Sequence, residues 1–274
     1  LSELNVPVEY RIEQVMINLE RWRWLPQSLG ERYVHVNIAN FELEVIENNL
    51  SAMKMRTIIG RQYRRTPVFT GSMTYLVFSP FWNVPPGIAV KDILPQAKKD
   101  IGYLEKNKIR VFDGWGASAV EIDPETVDWS GITAKTLRYR FRQDPGPDNS
   151  LGRVKFMFPN RFNVYLHDTP LQELFLRPVR DFSSGCIRVE RPVDLAEYLL
   201  ADRPEWGRDE IEDAMDRNVE RTVTIKNPIP VHLLYWTAWA AEDNKIHFRR
   251  DIYNRDRRVS QALQLPSPAH NFRE

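Results

Sequence analysis

The spacing of apolar residues changes from helical to alternating at Tyr33, and this change sets the fold class. From there, apolar and polar side chains alternate in successive short segments, which is typical of half-buried β-strands. Turn-forming residues such as Asn48 and Asn49 separate the segments. The sequence therefore predicts a mainly β domain with helices (α+β) that begins near residue 30. The predicted strands cover residues 33–38, 41–46, 53–59 and 73–78.

The residues before that point predict one amphipathic helix. Apolar side chains recur from Glu3 to Trp24 at close to a helical period, and Pro26 ends the pattern. Such a stripe packs against the rest of a chain more often than against a membrane. We expect residues 1–29 to form an N-terminal helix and hinge whose apolar face contacts the main domain.

Residues 80–143 interrupt the strand pattern with several prolines, a short helix over 93–104 and short strands over 108–112 and 117–121. A compact insertion of this kind is more often a lid or a binding element than a linker. Its aromatic side chains would either face a ligand or fill a small core. These residues are Phe81, Trp82, Trp115 and Trp129.

After this insertion the sequence returns to strands, so residues 144–265 complete the domain that 30–79 begin. Predicted strands over 154–158 and 161–166 flank Pro159-Asn160 and form a hairpin that places His167 at its rim. Residues 266–274 are expected to form a loose tail. Further helices are predicted over 191–200 and 209–218, and further strands over 221–225, 230–241 and 246–249.

The chain has one cysteine, Cys186, which follows a glycine and precedes a short apolar strand. A tight turn there would align the backbone N–H groups of Ser184, Gly185 and Cys186 around one point, as an oxyanion hole requires. His167 could remove the thiol proton to give a thiolate nucleophile, and His167 and the N–H groups of the turn could supply the lowered thiol pKa that this chemistry needs. Both residues also have plainer interpretations, because a lone cysteine is often a buried hydrophobe and a histidine often only fills a hydrogen-bonded site.

Together the two residues resemble the catalytic signature of the L,D-transpeptidase (YkuD-type) family: a histidine, a short interval, Ser/Thr-His-Gly-Cys, an apolar residue, and Asn or Arg. Here 15 residues separate His167 from Ser183-Ser184-Gly185-Cys186-Ile187-Arg188, which fits that interval. Ser184 departs from the family's second histidine. This variant, with Tyr-Leu-His-Asp-Thr-Pro around His167, is similar to the YcbB branch of the family.

The resemblance implies a YkuD-like β-sandwich catalytic domain, with 80–143 as an inserted substrate-capping subdomain. It also implies acyl transfer on peptidoglycan tetrapeptide stems, with Cys186 as nucleophile and His167 as general base and acid. An amine of a second stem would resolve the thioester to a 3-3 cross-link, and carbapenem-type β-lactams would acylate the same cysteine. The residues expected to bind substrate are Tyr165, Arg188, Ser183, Asp168 and Trp82.

Several assignments stay open at this level. Arg188 would bind a substrate carboxylate or brace the loop, and either Asp168 or a backbone carbonyl would orient the imidazole. The same catalytic pair would serve an L,D-carboxypeptidase or a cross-link hydrolase, in which water resolves the thioester. The serine at position 184 would alternatively mark a non-catalytic wall-binding module.

Composition narrows the classes of partner. The 38 basic and 37 acidic side chains balance, so no general nucleic-acid-binding surface is expected. No metal-ligand spacing or cofactor motif is present, and no apolar run reaches the roughly 18 residues of a membrane span. The chain is interpreted as part of a longer protein. The resemblance implies a periplasmic location, with a tether through preceding sequence as an option, and cell-wall synthesis proteins as partners.

Overall fold

The computed structural model describes residues 5–114, 116–241 and 245–264. The strands in these ranges are β1 (Arg32–Asn37), β2 (Glu42–Glu47), β3 (Leu50–Ile58), β4 (Phe69–Phe78), β5 (Trp82–Asn83), β6 (Ile109–Asp113), β7 (Val120–Ile122), β8 (Tyr139–Gln143), β9 (Val154–Met157), β10 (Leu166–His167), β11 (Ile187–Val189), β12 (Arg221–Leu234), β13 (Ala238–Ala240) and β14 (Ile246–Phe248). The helices are α1 (Val8–Arg23), α2 (Pro86–Ile88), α3 (Leu94–Lys99), α4 (Gly102–Lys106), α5 (Pro192–Leu199), α6 (Arg208–Asp216) and α7 (Asp256–Leu263).

Eight strands form one closed sheet, in the order β1, β12, β4, β9, β10, β11, β3 and β2, with β2 pairing back to β1. Alternation directs Val34 and Val36 of β1 and Leu43 of β2 into a fully buried interior. Each such side chain contributes about 2 kcal/mol of burial free energy. The predicted mainly β architecture is confirmed, and the layers of the expected sandwich are joined in a single ring without free edges.

Two strand boundaries differ from the sequence prediction. β12 is one continuous strand from Arg221 to Leu234, with a register shift between Thr224 and Ile229, rather than two separate strands. The strand predicted over 161–166 is reduced to β10, because the Asn160 side chain hydrogen-bonds to the backbone of both Phe158 (2.6 Å) and Val164 (2.7 Å) and holds a compact loop. β9 and β10 still pair antiparallel, so the hairpin reaches His167 through a longer connection than predicted.

The helix α1 packs mainly through a different face from the predicted one. Its buried face is largely polar: Gln14 donates to the carbonyls of Thr237 (2.9 Å) and Arg249 (2.8 Å), and Arg21 pairs with Asp256 at 2.7 Å. The apolar residues of the predicted face are exposed, Ile12 by 56% and Leu19 by 59%. The expected apolar contact is made by Trp22, whose ring stacks on Trp236 with centroids 4.4 Å apart; elsewhere on α1 the buried contacts are mainly polar, because these side chains satisfy backbone groups that the helix covers. The predicted start at residue 3 lies outside the described residues.

Residues 82–143 form a second sheet, in the order β5, β8, β6 and β7, with helices packed against it. A π-helical turn over Ala89–Ile93 joins α2 to α3, so the helical stretch begins earlier than predicted and ends at Lys99. We call residues 82–143 the cap. Its separate hydrophobic core contains Val84, Ala89, Ile93, Leu94, Ala97, Leu104, Ile109, Val111, Trp129 and Phe141.

The helix α7, which the sequence pattern did not predict, lies against α1 near the C-terminal end of the described chain. The predicted pairing of the last two strands, β13 with β14, is present, and the turn expected at 242–244 lies outside the described residues. The tail predicted over 266–274 also lies outside them. No helix within the described ranges has the length and apolarity of a membrane span.

Candidate active site

A cleft of about 1160 Å³ lies between the ring of strands and the cap. Cys186 and His167 both line it from the ring, and Trp82 lines it from the cap. The pairing of β10 with β11 is parallel and sets Leu166 opposite Ile187 and His167 opposite Arg188. His167 therefore lies at the end of β10, Cys186 lies immediately before the adjacent β11, and both line the same cleft.

The turn before Cys186 is closed by the Ser183 hydroxyl, which donates to the Cys186 carbonyl (2.5 Å) and accepts from the Gly185 N–H (3.1 Å). Gly185 has a φ of +119°, which a residue with a Cβ rarely adopts. Ser183 lines the cleft, but it is only 3% exposed and its hydroxyl is engaged within the turn. The expected set of oxyanion donors needs one correction. The Gly185 N–H is already occupied, so the available donors are those of Ser184 and Cys186, which have no protein acceptor among the described residues.

Residues 60–66, which we call the bracing loop, pack behind this turn. The Arg61 N–H donates to the Ser183 carbonyl (3.0 Å), and the Thr66 hydroxyl donates to the Gly185 carbonyl (2.9 Å). A Cβ on Gly60 would lie 2.1 Å from the Arg64 carbonyl, so only glycine fits there. The Tyr253 hydroxyl donates to the Gly60 carbonyl from near the other end of the chain. The turn is thus held by contacts on the side away from the cleft, which Ser184 and Cys186 line.

The Cys186 sulfur is half-buried and lies 3.8 Å from the Asn163 carbonyl, to which its S–H donates. Burial raises the pKa of the Cys186 thiol to about 11, although hydrogen bonds from the backbone and side chain of Tyr165 and the charge of Arg188 act to lower it. Within the described residues, no hydrogen bond joins the sulfur directly to the His167 ring. The resting cysteine is therefore a neutral thiol, in contrast to the lowered pKa expected from the sequence.

The His167 ring is 4% exposed, and its Nδ1 donates to the Asp168 backbone carbonyl at 2.5 Å. This bond leaves Nε2 as the proton acceptor. Burial and, secondly, the positive charge of Arg188 lower the pKa of His167 to about 3. His167 is therefore a neutral base of fixed tautomer, oriented by a backbone carbonyl.

The Asp168 carboxyl does not line the cleft. It accepts from the Arg153 N–H (2.9 Å) and from Gln172 Nε2 (3.2 Å), and burial raises its pKa. The prediction that Asp168 contacts substrate is corrected accordingly, because its side chain supports the loop after β10 on the buried side.

Tyr165 lies between the two central residues. Its ring meets that of His167 edge-on, with centroids 5.8 Å apart, and its hydroxyl hydrogen-bonds to the Cys186 sulfur. Burial raises the pKa of the Tyr165 phenol, so it remains a neutral donor. The structure places Tyr165 in the cleft.

Arg188 also lines the cleft, and its Nε and Nη1 are buried without a partner in the described structure. Burial lowers the pKa of this guanidinium. A buried cation without acceptors is costly unless a ligand supplies them. These two donors of Arg188 are therefore available to an acceptor that enters the cleft.

The aromatic residues singled out in and beside the cap divide into two groups. Trp82 lines the cleft. Phe81 instead lies under the Arg142 guanidinium, 4.4 Å from its ring centroid, and Trp129 is 7% exposed in the cap core. These two therefore have packing roles, and Trp115 lies outside the described residues. No group of three or more potential metal ligands occurs in the described part of the chain.

Comparison with known families decides the classification. A family model described as the L,D-transpeptidase catalytic domain (YkuD) matches residues 31–225. The chain belongs to this L,D-transpeptidase family. A Haemophilus influenzae protein, provisionally named an L,D-transpeptidase, is 33% identical over 250 residues, covering 91% of this chain and 49% of that protein. The chain thus spans about half the length of the curated relative it matches.

Solved L,D-transpeptidases are also similar in structure. One in complex with imipenem gives a TM-score of 0.35 at 11% identity, covering 74% of this chain and 59% of the other. L,D-transpeptidase 3 from Mycobacterium tuberculosis, in complex with a faropenem-derived adduct, gives 0.33 at 14% identity, covering 74% and 60%. The family assignment rests on the family model and the curated relative.

Several cleft residues of this L,D-transpeptidase domain were not identified from the sequence. Arg61, Arg64, Lys91 and Arg140 make the cleft strongly basic, and Asp92 is the acidic side chain among its lining residues that faces them. These residues come from the bracing loop and the cap, far from the signature. The sequence carried no spacing that would have grouped them, because their proximity depends on how the cap sits on the ring.

Proposed function

We propose that this protein is a peptidoglycan L,D-transpeptidase that forms 3-3 cross-links through a thioester on Cys186. The observation that carries the proposal is that a neutral, tautomer-fixed imidazole at the end of β10 and a neutral thiol on the turn before the adjacent β11 line one cleft. A nucleophile, a base and free backbone N–H groups around one point are the components that acyl transfer requires.

The first step begins from the neutral pair. As Cys186 Sγ attacks the stem carbonyl that precedes the terminal D-alanine, His167 Nε2 takes the thiol proton. The oxyanion is held by the N–H groups of Ser184 and Cys186. The C–N bond then breaks, and the imidazolium returns the proton to the departing D-alanine amine. The raised thiol pKa and the low imidazole pKa favour proton transfer during attack rather than a preformed thiolate.

The second step restores the enzyme. The side-chain amine of a neighbouring stem attacks the thioester, His167 accepts a proton from that amine, and an amide forms as the C–S bond breaks. The proton then passes to the thiolate of Cys186. Water in place of the amine would give a carboxypeptidase or a hydrolase, with the same residues in the same roles.

Substrate binding is assigned to the basic side of the cleft. Arg188 would hold a stem carboxylate through the donors that lack protein partners. Tyr165 and Trp82 would contact the stem from the ring and from the cap. The cap would then act as the substrate-capping subdomain expected from the YcbB resemblance, and a periplasmic location with cell-wall synthesis proteins as partners belongs to the same proposal.

Mass spectrometry after exposure to imipenem tests the nucleophile. The protein should gain a covalent adduct on Cys186, and the Cys186→Ala variant should gain none. An unmodified wild-type protein would indicate a non-catalytic wall-binding module. Incubation with tetrapeptide stems, with and without an excess of acceptor stem, then separates the reactions. Cross-linked dimer identifies a transpeptidase, whereas shortened monomer in both arms identifies a carboxypeptidase.

A further inference from the structure

The Arg64 side chain contacts both the turn that carries Cys186 and the cap. Its Nη1 donates to the Ser184 hydroxyl oxygen (2.6 Å) and to Asp92 Oδ2 (2.6 Å), and its Nη2 donates to Asp92 Oδ1 (3.2 Å). Ser184 occupies the position of the family's usual second histidine, and Asp92 belongs to the cap. One guanidinium therefore links the two walls of the cleft.

The end of this link that lies on the ring of strands is held in a fixed position. Arg64 belongs to the bracing loop, its N–H donates to the Arg61 carbonyl (2.8 Å), and its side chain is only 11% exposed. The Arg64 carbonyl lies 3.7 Å from the position of a Cβ on Gly185. Because its backbone is packed against the turn, the guanidinium can hold Ser184 whether or not Asp92 is present.

The cap end is less constrained. Asp92 is 42% exposed and lies in the π-helical turn over Ala89–Ile93, a distortion that often occurs at functional sites. Among the ion pairs of the described residues, Arg64 with Asp92 is the one that crosses the cleft. The other cap pairs, such as Arg110 with Glu121, lie within the cap or beside it.

We propose that Arg64 is a positioning residue that couples closure of the cap to the alignment of the oxyanion donors beside Cys186. The proposal rests on the cysteine acyl transfer proposed above. Its Asp92 contact holds the cap over a bound stem, and its Ser184 contact fixes the peptide units that supply the Ser184 and Cys186 N–H groups. The serine at position 184 thus acts as an acceptor for Arg64 rather than as a remnant of lost chemistry.

The two contacts are separable by mutation because each uses a different partner of Arg64. Asp92→Asn removes the charge across the cleft and should raise the KM for tetrapeptide stems by about five-fold, with kcat almost unchanged. Ser184→Ala removes the acceptor on the turn and should lower kcat by about ten-fold, with little change in KM. Arg64→Ala should change both parameters, and Arg64→Lys should restore part of the KM but not the kcat. Glu121→Gln, which breaks a half-exposed cap ion pair outside the cleft, is the matched control and should change neither.

Steady-state kinetics with stems and hydrogen exchange of residues 86–99 together test the coupling. Asp92→Asn should speed exchange in this helical segment, whereas Glu121→Gln should not. Equal changes of kcat and KM in Asp92→Asn and Ser184→Ala, or unchanged exchange in Asp92→Asn, would overturn the proposal. An inactive wild-type protein that gains no imipenem adduct would contradict the proposed function instead, and the exchange measurement would still decide whether Arg64 holds the cap.

Discussion

Two histidines in the ring of strands, His35 in β1 and His167 in β10, make an informative pair. Burial lowers the pKa of both, to about 4 for His35 and about 3 for His167. His35 Nε2, however, is buried without a partner in the described structure, and its ring packs on Trp236 with centroids 4.8 Å apart. Only His167 has a fixed tautomer and shares a cleft with the cysteine. A lowered pKa therefore shows only that a histidine is buried, whereas the groups around its ring show whether it can act as a catalytic base.

The largest expected difference between the two histidines is in turnover. His167→Asn should lower kcat/KM for stems by about 1000-fold, because the proton acceptor is lost. His35→Asn should stay within about two-fold of wild type, since nothing in its surroundings takes part in the reaction. Circular dichroism of both variants controls for folding. A comparable loss in His35→Asn would show that His35 also contributes to the reaction.

The second prediction concerns the resting state of the thiol beside His167. With a Cys186 pKa raised to about 11, the thiolate fraction should increase about ten-fold per pH unit through the neutral range. Iodoacetamide alkylation should therefore be about 100-fold faster at pH 9 than at pH 7. A rate that levels off near neutral pH would indicate a preformed thiolate and imidazolium pair, and β-mercaptoethanol under the same conditions serves as the reference thiol.

The third prediction tests the lowered pKa that the two histidines share. Both have folded pKa values below the unfolded value of about 6.5, so below that pH the unfolded chain takes up protons that the folded protein excludes. The free energy of unfolding should therefore fall as the pH drops from 6.5 towards 4, by about 1.4 kcal/mol per histidine at pH 5.5. Urea titrations at pH 7 and 5.5 measure this, and His35→Gln should remove the share of His35 but leave those of His167 and of His232, whose pKa burial also lowers. An unchanged pH dependence in that variant would place His35 in a more polar site than the structure shows.

The smallest expected effect concerns Tyr165, which lies next to His167. Tyr165→Phe removes the phenolic donor to the Cys186 sulfur and should slow imipenem acylation by about five-fold, with the adduct still on Cys186. His167 keeps its own partner in this variant, so the pH dependence of stability should match wild type. Acylation at the wild-type rate would assign Tyr165 to packing alone.

The sequence was sufficient for the parts of this protein that depend on local pattern. Alternation predicted β1 to β4 to within a few residues, and the spacing of His167 and Cys186 led to the family. Patterns of this kind work because strand periodicity and a turn sequence are local properties.

The sequence predictions were wrong where contacts between distant parts of the chain determine the structure. The apolar face of α1 was expected to be buried, but most of it is exposed, and the polar side chains of Gln14 and Arg21 make buried contacts with the main domain. The lowered cysteine pKa was expected from an adjacent imidazole, but burial dominates. The Gly185 N–H was assigned to the oxyanion hole, yet the Ser183 hydroxyl competes for it. None of these contacts has a signature in spacing, because each depends on the packing of segments far apart in the chain.

The contact between Tyr253 and the bracing loop joins residues 193 positions apart. During biosynthesis the chain up to the nucleophile emerges well before this tyrosine does. The support behind Gly60 and Thr66 is therefore incomplete until nearly the whole domain has been made. A polypeptide that ends before Tyr253 would carry Cys186 on a turn whose bracing loop lacks these hydrogen bonds. We therefore expect the cysteine to become reactive only after nearly the whole domain has been synthesised and folded.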